Sequence, residues 1–97
     1  FDIIIDDGLH TPDANAKTLH NLFPLLKKNG SFYVEDVWPL DIMTTKEMQH
    51  WWVQKYPERY NILEMNKFTK EIEDKDVKRF DLRAKSGQPD SYIIRVK

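Results

Sequence analysis

Apolar and polar positions set the first third of the chain apart from the rest. Residues 2–6 (Asp-Ile-Ile-Ile-Asp) form a short, nearly unbroken apolar run rich in Ile. That composition belongs to a strand covered on both faces, and the run is read as a first parallel strand. Thr11-Pro12-Asp13 supplies a helix N-cap, a proline suited to the first helical position and an acid at the positive helix end. Leu19, Leu22, Phe23 and Leu26 then recur at helical spacing while Lys17, Asn21, Lys27 and Lys28 stay polar, and Pro24 is expected to bend or break the helix. Asn29-Gly30 closes it, and residues 31–34 (Ser-Phe-Tyr-Val) give the next strand. The first 36 residues therefore predict a βαβ unit with a right-handed crossover.

After Trp38-Pro39 the pattern is less regular. Thr44 or Thr45 is expected to cap a helix that carries Met48, Trp51, Trp52 and Tyr56 on one apolar side and ends at Pro57. Residues 60–65 are read as a strand and residues 67–76 as a charged, solvated connection. Apolar residues recur in strand-like runs over 79–85 and 91–97, around the turn-rich Ser86-Gly87-Gln88-Pro89-Asp90, which predicts an antiparallel hairpin. The expected fold class is α/β: a parallel βαβ unit, a helix, and a C-terminal antiparallel hairpin in a partial doubly wound, Rossmann-like sheet. No internal repeat or interdomain linker divides residues 1–97, so one domain is expected.

Composition narrows the function classes. Fifteen basic against sixteen acidic residues leave a net charge of −1, which gives no electrostatic footprint for nucleic acid or an anionic membrane. The absence of Cys removes disulfides, thiolate metal sites and a Cys nucleophile, and agrees with a cytoplasmic location. No signal peptide or membrane-spanning apolar run is present. The chain opens in mid-strand without an initiator Met, so it is read as a portion of something larger.

Chemistry concentrates where the two early strands end. The first runs into Asp6-Asp7-Gly8-Leu9-His10 and the second into Glu35-Asp36. In an open parallel sheet, ligands bind outside the carboxyl ends of the strands, so acids at two adjacent ends share one crevice. Oxygen-rich sites of this kind suit a hard divalent cation, and imidazole is the side chain whose ordinary titration falls nearest neutral pH. Taken singly, each acid reads as a cap or a solvated strand end; together with His10 they read as a site. His20 and His50 have no matching acids nearby and are read as ordinary surface or half-buried residues. Trp51, Trp52 and Tyr56 are read as core, although a pocket lining is the alternative.

The succession of an apolar strand, Asp-Asp-Gly-x-His, a helix ending Leu-Phe-Pro-Leu-Leu-Lys-Lys-Asn-Gly, a strand and Glu-Asp resembles the C-terminal half of class I S-adenosylmethionine-dependent methyltransferases. Within them it is most similar to the metal-dependent O-methyltransferases of macrolide sugars, the mycinamicin and macrocin type, and the cephalosporin hydroxylase-related family. The resemblance implies Asp7, Glu35 and Asp36 as Mg²⁺ ligands, His10 as general base, S-adenosylmethionine as methyl donor and a small hydroxylated acceptor such as a sugar or natural-product glycoside. Leu9 departs from the Ser usual in the closest relatives. The glycine-rich cofactor loop of the family has no counterpart in these 97 residues, so the isolated chain is expected to be inactive. A noncatalytic remnant or oligomeric scaffold module is the competing expectation. A phosphatase-like site ranks below both, because it needs acids two positions apart and these are adjacent. An unpaired first strand is expected to leave a bare sheet edge and drive a homodimer or higher oligomer.

Overall fold

The computed structural model describes residues 1–57 and 60–97. Strand β1 (Ile3–Asp6) pairs in parallel with β2 (Ser31–Val34), Ile3 opposite Ser31 and Asp6 opposite Val34. Strands β3 (Val77–Asp81) and β4 (Tyr92–Val96) form the antiparallel hairpin, and β4 inserts beside β2 to give the order β1-β2-β4-β3. The architecture is α/β with a mixed four-stranded sheet, compatible with a partial Rossmann-like fold. Among the described residues no helix is long and apolar enough to cross a membrane.

Helix α1 (Pro12–Leu22) starts at Thr11 with proline in its first turn, and Pro24 sits in a 3₁₀ turn (Phe23–Leu25) that ends the helical stretch. Asn29 takes the left-handed conformation at φ 71°. Gly30 serves a different purpose from the left-handed closure expected of it. A Cβ there would lie 2.7 Å from Leu26 Cγ and 2.8 Å from the Asp2 carbonyl oxygen, so only glycine lets the chain enter β2 beside β1.

The central segment differs from its sequence reading in two places. The expected single helix after Thr44 is two short ones, α2 (Thr45–Met48) and α3 (Trp51–Lys55). Thr44 and Glu47 form a reciprocal capping box on α2, and His50 Nδ1 accepts the Trp52 N–H to cap α3. Trp51 and Trp52 are exposed and Val53 is buried, while Met48 and Tyr56 pack against the core, so only part of the expected apolar side faces inward. Residues 60–65, expected as a strand, and 67–76, expected as a solvated connection, instead contribute to helix α4 (Ile62–Ile72). Met65, Phe68 and Ile72 fall on one side of α4 and are buried, while Lys67, Lys70 and Glu71 face water.

The same hairpin carries a further departure: the first strand spans 77–81 rather than 79–85, and α5 (Arg83–Ser86) occupies the connection, closed by Gly87 at φ 75°. Arg83 donates to Asp81 and pairs with Glu47, fastening α2 to the hairpin. Arg79 pairs with Asp41 at 2.9 Å.

Helices α1 and α4 pack together over one face of the sheet, where Leu19, Phe32, Val34, Met65, Phe68, Ile72, Ile94 and Val96 form the centre of the core. The other face is open. Ile3 and Ile5 are 58% and 56% exposed, which corrects the expectation of a first strand covered on both faces.

Candidate functional site

The alternation of side chains along β1 turns Ile4 and Asp6 toward the helices. Asp6 is 7% exposed; its Oδ1 accepts the Gly8 N–H at 3.2 Å, and its Oδ2 has no partner. Burial raises the Asp6 carboxyl above the ordinary carboxylate range, against the opposing pull of the Gly8 N–H and His10. Between the ordinary value and the raised one, the folded chain holds a proton that the unfolded chain has released, so stability falls as pH rises through that window. Asp6→Asn is expected to remove this slope in urea unfolding measured between about pH 4 and pH 7.

Beyond Gly8 the chain reverses, and His10 takes φ 60° before Thr11 opens α1. The Thr11 hydroxyl donates to Asp13 at 2.8 Å instead of capping a backbone N–H, and this bond lowers the Asp13 carboxyl. At the neighbouring strand end, the Glu35 N–H donates to the Asp6 carbonyl, which carries the parallel ladder one step past β2. Asp36 then takes φ 51°. Two residues at one site in the left-handed region are uncommon, since side-chain crowding normally excludes it outside glycine. The consequence is a change of direction: strict alternation would send Asp36 under the helices with Phe32 and Val34, and the reversal brings it out to His10.

His10 Nε2 lies 3.6 Å from Asp7 Oδ1 and 3.9 Å from Asp36 Oδ2, and one ligand atom from each of the three lies within 4.8 Å of the others. These separations are too long for hydrogen bonds. They leave the cluster open enough to admit a cation, whose oxygen ligands lie about 2.0–2.6 Å from it. With Asp7 62% and Asp36 51% exposed, the ion pairs themselves contribute little to folding. The two carboxylates therefore fit a divalent cation, with the His10 imidazole beside them. Glu35 is elsewhere: it lines a shallow hollow of about 400 Å³ on the open sheet face with Ile3, Ile5, Tyr33, Phe80 and Ile93. The structure brings Asp7, His10 and Asp36 together and separates Glu35 from them.

Both glycines near this region are occupied by local contacts. A Cβ on Gly8 would meet Asp6 Oδ1 at 3.2 Å, and one on Gly30 would meet Leu26 and Asp2, so local packing sets both positions. Sequence reasoning did not single out Gln88 or Asp90, which lie beside His50 and Trp52 at the same end of the sheet. Their only signal was as turn residues, because the contact with α3 joins segments far apart in the chain.

No protein-family model matches the chain, and no solved structure matches it. Over 38 residues it is 42% identical to demethylmacrocin O-methyltransferase of Streptomyces fradiae. Over 38 residues it is 40% identical to 8-demethyl-8-(2-methoxy-alpha-L-rhamnosyl)-tetracenomycin-C 3'-O-methyltransferase of Streptomyces olivaceus. Each match covers 39% of this chain and 10% of the relative. Over that stretch, the chain is related to O-methyltransferases.

Proposed function

We propose that the chain is part of an S-adenosylmethionine- and Mg²⁺-dependent O-methyltransferase acting on a hydroxyl of a small molecule such as a sugar or natural-product glycoside. The observation that carries this reading is the convergence of Asp7, His10 and Asp36 at the carboxyl ends of two parallel strands. Asp7 and Asp36 hold the cation, and His10 Nε2 stands beside it to take the acceptor's hydroxyl proton. When bound, the cation would supply positive charge that makes that hydroxyl more acidic, and S-adenosylmethionine would supply the methyl group. Glu35 contributes no ligand atom in this arrangement. Mg²⁺ at about one hundred times its dissociation constant is expected to raise the unfolding free energy by about 2.7 kcal/mol, with calorimetric titration giving the constant. A chain whose melting and titration ignore Mg²⁺ would overturn the reading. Titrated alone with S-adenosylmethionine, the 97-residue chain is expected to give no heat of binding.

The open sheet face favours a second reading, an oligomeric scaffold. Ile3 and Ile5 stand exposed on β1, an edge strand whose free backbone groups are a template for pairing. Sedimentation at micromolar concentration is expected to show a dimer or larger species under this reading, and a monodisperse monomer would reject it.

A further inference from the structure

Two hollows lie beside α3 and the turn that precedes β4. One, of about 100 Å³, is walled by Trp38, His50, Trp52, Gln88, Pro89 and Asp90. The other, of about 360 Å³, shares His50, Gln88 and Pro89 with it and extends toward Glu47 and Arg83. The two hollows adjoin at these residues and form an interrupted trough. Trp38 stands two residues beyond Asp36, and the Val37 N–H donates to the Tyr92 carbonyl at 3.0 Å, which holds this segment beside the end of the turn bearing Asp90.

The lining combines two kinds of surface. Trp38 is buried, with its ring centroid 4.5 Å from that of Tyr60 and 5.6 Å from His50, so it is a rigid wall. Trp52 is 39% exposed at the rim, its ring tilted against Trp51 and Tyr56 at centroid distances of 5.3 and 5.8 Å. Around these rings stand polar groups of mixed character. His50 Nδ1 already accepts the Trp52 N–H, which assigns the remaining ring proton to Nε2 as a donor. The Gln88 amide both donates and accepts, and the Asp90 carboxylate accepts; neither side chain has a hydrogen bond or ion pair among the described residues. A purely apolar ligand would leave these polar groups unpaired, and a strongly charged one would find both signs in the walls. A saccharide ring suits both, since its C–H face packs on an indole and its hydroxyls donate and accept at the rim.

We propose that this trough is the subsite for the sugar ring of the acceptor, with Trp52 as its stacking platform and His50, Gln88 and Asp90 as its hydroxyl contacts. The assignment rests on the methyltransferase reading for its role, but the binding itself can be tested separately. The test is a heteronuclear NMR titration of the whole chain with methyl α-L-rhamnopyranoside, followed by one with Mg²⁺. The glycoside is expected to shift the Trp52 indole N–H, the Gln88 side-chain amide and the backbone of 88–90. Trp52→Ala is expected to weaken binding about tenfold, and Gln88→Ala and Asp90→Asn, both on a surface turn, severalfold. Absence of any shift, shifts clustered elsewhere, or three variants that titrate like the parent chain would each overturn the subsite. Glycoside shifts in the trough without a Mg²⁺ response at Asp7, His10 and Asp36 would leave the subsite standing and reject the cation site; the converse result would do the opposite.

Discussion

Replacing Phe68 with alanine is expected to lower the free energy of unfolding by about 3–5 kcal/mol, a large part of the 5–15 kcal/mol typical of a domain. Phe68 is fully buried between α4 and the sheet, in contact with a core that includes Leu19, Phe32 and Ile94. Removing its ring forfeits the transfer free energy and leaves a cavity that these neighbours fill only in part. Urea unfolding followed by circular dichroism measures the loss. Leu63 supplies the control, because it lies on the same helix and is 67% exposed, so Leu63→Ala is expected to change stability by no more than about 0.5 kcal/mol. Met65→Ala, by contrast, is expected to cost about 2–5 kcal/mol. In an extended strand, residues 63 and 65 would face the same way and lose equally. Equal losses at Leu63 and Met65 would therefore reject α4 as a helix.

That contrast also explains why α4 was misread. Tyr60, Ile62, Leu63 and Met65 look like a short apolar strand when the window closes at 65. Extended to 72, the same window shows Met65, Phe68 and Ile72 at intervals of three and four, the spacing of a helix face. A start signal was present as well: Asn61 followed three residues later by Glu64 is a capping pattern, and Asn61 Oδ1 does accept the Leu63 N–H at 2.9 Å. The charged residues 67–76 masked it, since a solvated helix face and a solvated loop have similar composition. The early βαβ unit was legible for the opposite reason. Its strands and proline start are local signals that tertiary packing does not reverse, whereas the expected Asn29-Gly30 stop falls after the helical stretch has already ended at Leu25.

At the candidate site, sequence fixed which acids stand at the strand ends but not the faces they occupy. Consecutive residues in a strand point to opposite sides, so Glu35 and Asp36 cannot both turn to His10 while the backbone stays extended. The structure resolves this conflict through the left-handed turn at Asp36, which brings that carboxylate across and leaves Glu35 with Tyr33 on the open face. Positive φ at a non-glycine residue leaves no mark in the sequence beyond the tolerance of Asp and Asn for it. The buried state of Asp6 was equally hidden, because the order of two adjacent acids does not say which one faces the helices.

Asp36→Asn is expected to weaken Mg²⁺ binding by about 100-fold or more, since even the loss of an outer-shell partner costs 10–100-fold in metal affinity. Asparagine adopts the left-handed conformation as readily as aspartate, so the backbone at φ 51° is retained and the change is confined to charge and ligand strength. Without metal, stability is expected to stay level or rise slightly, because one of two facing carboxylates is gone. With Mg²⁺ at the concentration that stabilises the parent chain by about 2.7 kcal/mol, the variant is expected to gain only about 0.4 kcal/mol, the value for a site half filled. Glu35→Gln decides between the geometry and the ligand set that the sequence resemblance implies. With Glu35 on the open face, this substitution leaves the dissociation constant unchanged within about twofold, far below the loss at Asp36. A loss at Glu35 as large as that at Asp36 would mean that cation binding draws the end of β2 around, and the three-residue arrangement of Asp7, His10 and Asp36 would fall.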